Sequence, residues 1–168
     1  MAYQDTIIAH PNLVAYYKLD ETSGTAITDS KNAYNATSSG GWTVNQTSLL
    51  TSGVGKSAAL ATNGRALLGS GESAFDFERT QAWSVEFLVT PNLTRSGGEV
   101  NAAVFSKLDS STPFSGWEVA VHWDGTRTCV DVLLVNNFST KHLRWRTATT
   151  VDLQNATTYH IVVTYDGS

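Results

Sequence analysis

Asp29, Ser30, Asn32 and Asn35 place four oxygen-bearing side chains in one short stretch. A hard cation such as Ca2+ takes about six to eight oxygens from carboxylates, amide carbonyls and backbone carbonyls held by an irregular loop, so this stretch is a candidate calcium site. The same residue types also form Asx turns, in which the side chain bonds its own backbone two residues on. A second chemistry is carbohydrate binding, which pairs an aromatic platform for the sugar ring with directional partners for its hydroxyls. Trp42, directly after Gly40-Gly41, is the first candidate platform, and Tyr34 and Phe114 are two further aromatics placed in loops. Each of the three could equally cap a core. Lys141, His142, Arg144 and Arg146 form a short basic stretch whose alternate members point one way, which suits an acidic glycan. The competing reading is a solvated strand face.

Hydrolytic chemistry is not expected. A retaining glycosidase needs two carboxylates about 5 Å apart, whereas Glu86, Glu118 and Asp131 occur singly, at positions that read as solvated strand surface. No Gly-x-Ser-x-Gly elbow is present. His10, His122, His142 and His160 stand apart without the close pairing of a zinc or copper site. Cys129 is the only cysteine, which excludes an internal disulfide and a thiolate cluster.

These residues must be positioned by a fold built mainly of strands. The chain has 168 residues, of which 41% are apolar, 10% aromatic and only 15% charged. Ser, Thr, Asn and Gly must therefore cover much of the surface, a composition that favours strands and turns. A net charge of −4 without clustered Lys and Arg gives no footprint for nucleic acid or an anionic membrane. Residues 1–13 lack the basic and apolar regions of a secretory signal, and no apolar run reaches the ~18 residues that a membrane span needs. Asn35, Asn45, Asn92, Asn137 and Asn155 head Asn-x-Ser/Thr triplets, which matter only in a chain that enters a secretory pathway.

Period-two alternation is strongest in the second half. Trp83, Val85, Phe87 and Val89 share one face; so do Trp117, Val119, Val121 and Trp123, up to the turn pair Asp124-Gly125. Thr128 to Val135 is expected to pair back as a hairpin. Leu143 and Trp145 alternate with Arg144 and Arg146, and Tyr159, Ile161, Val163 and Tyr165 alternate with His160, Val162 and Thr164. Trp83, Trp117, Trp123 and Tyr165 are assigned to the core because they stay in phase with aliphatic neighbours. The first half predicts a strand near Leu13 to Leu19, long connections over 29–41 and 51–57, and a strand pair over 58–60 and 65–68 about Asn63-Gly64. Asp166-Gly167 is a turn signal after a complete strand, so a further strand, from more chain or from a partner, is expected. The expected architecture is an all-β, two-sheet antiparallel sandwich, with an N-terminal arm over residues 1–12 and one domain over residues 13–168.

Five segments resemble the laminin-G-like, concanavalin A-like jelly-roll family, particularly its bacterial and phage branch. Leu13-Val14-Ala15-Tyr16-Tyr17-Lys18-Leu19-Asp20-Glu21, then Ser23-Gly24 and Asp29-Ser30 with Asn32 and Asn35, is similar to its opening strand and Asp-Ser-x-Asn loop. Gly55 to Leu60 with Asn63-Gly64, Ala82 to Phe87, Val104 to Lys107 with Gly116 to Val119, and Tyr159 to Gly167 resemble later strands in the family's order. The resemblance covers nearly all of the chain except the family's last strands. It implies a jelly roll, and it strengthens the calcium reading of Asp29, Ser30, Asn32 and Asn35. The Glu-x-Asp-x-x-Glu string of related glucanases is absent. The expected function is a non-catalytic recognition or adhesion module with a glycan partner, in a phage virion protein or a large bacterial surface protein. The alternative is a structural module that docks onto other subunits, homo-oligomers included; a hydrolase fragment would need acids from outside these residues.

Overall fold

The computed structural model describes residues 3–69 and 72–168, with the side chain of Tyr3 excepted. Met1 and Ala2 of the expected arm lie outside the described residues, and the rest of the arm begins with a short helix, α1 (Tyr3–Ile8). The chain divides into two compact units, one ending at Ala74 and the other running from Phe75 to Ser168, where the sequence reading places one domain over residues 13–168.

The first unit carries β1 (Ala26–Ile27), β2 (Ala36–Ser39), β3 (Trp42–Gln46), β4 (Ser57–Leu60) and β5 (Arg65–Leu68). They form an antiparallel β1-β2-β5 sheet and a separate antiparallel β3-β4 pair. The expected hairpin of 58–60 with 65–68 is therefore corrected: both strands exist, but β4 pairs with β3 and β5 with β2. The cause is the packing of two turns. Gly40 has φ +66°, and a Cβ there would stand 2.1 Å from the carbonyl oxygen of Asn63, so the Gly40-Gly41 turn lies directly on the Ala61–Gly64 turn. The expected connection over 29–41 likewise contains β2. Leu13 to Leu19 is not a strand, because only Tyr17 bridges to Asp29 and Leu19 adopts φ +55°, which breaks the extended run. Among the described residues of this unit few are buried: the apolar Ile27 and Ala36, with Asp29, Ser38 and Ser57.

The second unit carries β6 (Trp83–Val89), β7 (Val100–Leu108), β8 (Gly116–Trp123), β9 (Thr128–Asn137), β10 (Lys141–Arg146) and β11 (Tyr159–Tyr165). An antiparallel four-stranded sheet, β10-β9-β8-β7, faces an antiparallel pair, β11-β6. Between them lies the core that the alternation predicts: Trp83 and Val163 from the pair, Trp117, Val119, Val121, Val130 and Val132 from the sheet, and Leu153 from a loop. Fully burying each large apolar side chain contributes about 1.5–3 kcal/mol. The Trp83 and Trp117 rings lie 5.7 Å apart, Phe77 stacks on Trp83 at 5.6 Å, and Trp117 Nε1 donates to the carbonyl of Phe75 at 2.7 Å. A register shift between Ala103 and Phe105 in β7 lets Val104 and Phe105 both pack on that core. The β8–β9 hairpin forms about Asp124-Gly125, with Trp123 opposite Thr128 and Gly116 opposite Val135.

Alternation sets the other face of the same sheet. Glu118, Ala120 and His122 of β8 and Cys129, Asp131, Leu133 and Val135 of β9 point away from the core, yet all seven are buried. A strand pair buried on both faces is unusual for an antiparallel sheet, which more often turns one face to water.

Candidate functional site

On that outer face β7, β8, β9 and β10 contribute one polar row each. Asn101 lies opposite His122, Ala120 opposite Asp131, and Asp131 opposite Arg146, while Glu118 is opposite Leu133 and Leu133 opposite Arg144. The strands thus bring Asn101, Glu118, His122, Asp131, Arg144 and Arg146 together from far apart in the chain.

The side chains form one connected network. Asp131, with 2% of its side chain exposed, accepts from Arg144 Nε at 3.0 Å through both oxygens, from Arg144 Nη2, and from Arg146 Nε at 3.3 Å. Two guanidiniums offset the desolvation of that buried carboxylate, which would be costly if it were alone. Arg146 Nη2 reaches His122 Nε2 at 2.9 Å and both oxygens of Glu99 at 3.5 Å. His122 Nδ1 meets Asn101 Oδ1 at 3.2 Å, and Asn101 Nδ2 donates to Glu118 Oε1 at 2.7 Å. The direction of this chain follows from its ends. A carboxylate only accepts, so the Asn101 amide nitrogen faces Glu118 and its oxygen faces His122; Nδ1 of His122 then carries the proton and Nε2 accepts from Arg146. Burial first, and the neighbouring Arg146 second, hold the His122 pKa below its ordinary 6.5, against the opposing pull of Asp131 and Glu99. His122 is therefore neutral at pH 7.

Above the network opens a cleft of about 500 Å3. Its polar lining is Glu99, Asn101, Glu118, His122, Asp131 and Arg144, and its apolar lining is Leu108, Phe114, Leu133 and Phe138. The Phe114 and Phe138 rings meet edge-on at 6.5 Å, and His142 stacks on Phe138 at 5.3 Å. Phe114 and Phe138 remain 39% and 42% exposed, so the aromatic wall is reachable from water. Phe138 N donates to the Pro113 carbonyl at 3.1 Å and Ser115 Oγ to the Asn136 carbonyl at 3.0 Å, which fixes the two wall-bearing loops against each other.

The candidate residues separate accordingly. Phe114 and Arg144 line the cleft and Arg146 adjoins it, but both guanidiniums are engaged by Asp131, Glu99 and His122, so this is a charge-compensated face rather than a free basic one. Glu118 and Asp131 correct the expectation of solvated surface: they are 8% and 2% exposed. Glu86 does fit it, on the outer face of β6 with His160 Nε2 at 2.7 Å. The signal for Asp131 in the sequence is a single charge inside the otherwise apolar run Cys129 to Val135, with two arginines at alternate positions on the next strand. Phe138 had none beyond its loop position.

Trp42 and Tyr34 belong to the first unit. Trp42 is corrected from loop to strand: it opens β3, pairs with Leu60, is half-buried, and keeps its indole N–H buried. Tyr34 is half-buried, its carbonyl accepts from the Tyr17 hydroxyl, and its amide donates to Asp29.

Of the candidate metal residues, Asn35 and, through it, Asn32 gather at a fully buried Asp29, while the Ser30 hydroxyl is buried without a hydrogen-bond partner among the described residues. Asp29 Oδ1 accepts from the amides of Tyr16 and Lys31 at 2.8 and 3.1 Å, and Oδ2 from those of Ala33 and Tyr34, both at 3.1 Å. Asn35 Oδ1 accepts from the Asp29 amide at 2.9 Å and Asn32 Oδ1 from Asn35 Nδ2 at 3.0 Å. Burial alone would raise the Asp29 pKa, but the four amides outweigh it and hold the carboxyl below 3.8. The same carboxylate, after burial, helps push Tyr17 up to about 12. Asp29 is thus the anion at the centre of its own loop, with its oxygens turned to backbone N–H groups. These residues do not fit a calcium ion, which would have to displace the donors that order the loop. Among the described residues no group of three or more His, Cys, Asp or Glu side chains is placed to hold a metal.

No family model matches the chain, and no curated protein or solved structure matches it.

Proposed function

We propose that the chain is a non-catalytic recognition module whose cleft on the outer face of the β10-β9-β8-β7 sheet binds a carbohydrate. The single observation that carries this reading is the cleft itself. Exposed Phe114 and Phe138 line it together with hydrogen-bonding groups whose orientations are fixed by a buried network. That is the pairing a sugar ring needs: stacking for its apolar face and preset partners for its hydroxyls. The same network favours binding over chemistry in that Asp131 is held by two guanidiniums, which leaves Glu118 without a second free carboxylate beside it for paired acid–base work.

The second unit's sandwich is compatible with the laminin-G-like jelly roll that the sequence resembles, and on that reading the chain would serve a phage virion protein or a bacterial surface protein. Two facing antiparallel sheets support the sandwich; the jelly-roll path and the setting rest on the resemblance. A second reading, a module for subunit assembly, is favoured by one observation. Leu143 and Trp145 stand 53% and 54% exposed on the core-facing side of edge strand β10.

A glycan array probed with the labelled chain, with Ca2+ and with a chelator, tests the first reading. Binding is expected, equal in both conditions. Absence of binding to every glycan, together with concentration-dependent association in light scattering that Trp145→Ser abolishes, would replace it by the second.

A further inference from the structure

We infer that the cleft selects an uncharged pyranose and excludes acidic sugars, with Glu118 as the residue that reads the difference. The inference rests on the glycan-binding reading and names the ligand class of the same site. Its first support is the charge at the cleft. Glu99, Glu118 and Asp131 face Arg144 and Arg146 with His122 neutral, so carboxylates outnumber cations by one. The two arginines of β10 are paired although they reach the surface: Arg144 grips Asp131, and Arg146 grips Asp131, Glu99 and His122. An incoming uronate or sialate therefore meets, among the residues lining the cleft, no cation without a carboxylate partner.

The second support is the groups that remain open. Glu118 takes the Asn101 amide on Oε1, and among the described residues Oε2 has no hydrogen-bond partner. Arg144 uses Nε and Nη2 on Asp131, which leaves Nη1 as an open donor. Glu118 and Arg144 flank Leu133, one from β8 and one from β10, so an acceptor and a donor stand on either side of a small apolar floor. Vicinal hydroxyls match that pair, one donating to Glu118 Oε2 and its neighbour accepting from Arg144 Nη1, while the ring's apolar face lies on Phe138. A carboxylate in the first position would bring a second anion against Glu118, which is only 8% exposed, where like charges repel more strongly than in open water.

The test uses the whole chain and a panel of neutral oligosaccharides, each with its uronate, sialylated or sulfated counterpart, and compares wild type, Glu118→Gln and Phe138→Ala. Gln at this position still accepts from Asn101 but carries no charge, and Phe138 is exposed enough for its truncation to leave the fold intact; circular dichroism melts check both variants. Wild type is expected to bind neutral glycans at least about tenfold more tightly than their acidic counterparts. Glu118→Gln should shrink that ratio, and Phe138→Ala should weaken every ligand. Acidic glycans bound as well as neutral ones, or a ratio unmoved by Glu118→Gln, overturns the inference and leaves glycan recognition standing. Binding unaffected by both substitutions places the ligand elsewhere and overturns it too. No binding to any member of the panel removes the glycan-binding reading itself.

Discussion

His122 is where a single proton would change the hydrogen bonds under the cleft. As a neutral ring it relays Arg146 to Asn101, and so presents Glu118 in one orientation. Protonated, Nε2 can no longer accept from Arg146 and instead faces Glu99, whose Oε2 lies 3.4 Å away. Because burial and Arg146 set the folded pKa below 6.5, the sign of the stability effect is determined. Above 6.5 both folded and unfolded chains hold the ring neutral and no penalty arises. As pH falls through 6.5 the unfolded chain takes up a proton that the folded chain refuses, so stability drops until the lower, folded value is reached, and then levels. Urea denaturation of the second unit's fold between about pH 7.5 and about pH 5 should show this loss, and His122→Gln should flatten it. An undiminished slope in the variant would assign the effect to another group. Asp29 is the contrasting case, since a carboxyl held below 3.8 keeps its stabilising effect across the same interval.

Gly116 shows how an element joint holds the site. It opens β8, pairs with Leu108 of β7 on one side and Val135 of β9 on the other, and has φ +128°. A Cβ there would stand 1.8 Å from the carbonyl oxygen of Lys107, an atom of the neighbouring backbone that cannot swing away. Gly116→Ala should therefore cost about 3 kcal/mol or more in urea denaturation, from strained backbone and separated strands. It should also weaken ligand binding, because Phe114 lies two residues upstream. A loss under about 0.5 kcal/mol, the range of an ordinary surface change, would show that β7 and β8 are not locked at this point. The β8–β9 hairpin was legible because eight alternating residues and an Asp-Gly turn agree on one register. β4 and β5 were legible as strands but not in their partners, which back-to-back turns decided, and β2, four residues of Ala, Thr and Ser, carries no period to read. The cleft was half legible. Arg144, Arg146 and Phe114 stood out by type, whereas Glu118, His122 and Asp131 looked like the solvated side of a half-buried sheet, which holds for β6 and fails for β8 and β9.

At the scale of the whole chain the two units are held by different physics. The second unit's apolar cluster, with the partly buried side chains packed on it, is drawn entirely from residues 75–168. Its loops are tied within the same range: Arg127, 9% exposed, donates to the carbonyls of Thr147, Ala148 and Val151 at 2.7–2.9 Å, and Asp152 caps Thr128 N at 2.8 Å. Among its described residues the first unit buries only Ile27 and Ala36 of its hydrophobic side chains, and it depends on polar contacts, above all the four amides around Asp29. Such contacts give about 1 kcal/mol each in net terms, or somewhat more when a charge is involved, so they stabilise a short chain weakly against its conformational entropy. A fragment of residues 75–168 should consequently fold by itself, with a strand-type far-ultraviolet spectrum, a cooperative melt, and near-ultraviolet bands from the packed Trp83 and Trp117. A fragment of residues 1–74 should give none of these, because a unit of that size with so little buried apolar surface falls short of an independent core. If instead the longer-range fragment melts without cooperativity while the first stays folded, the apolar cluster between β6-β11 and β7-β10 is not what stabilises the molecule.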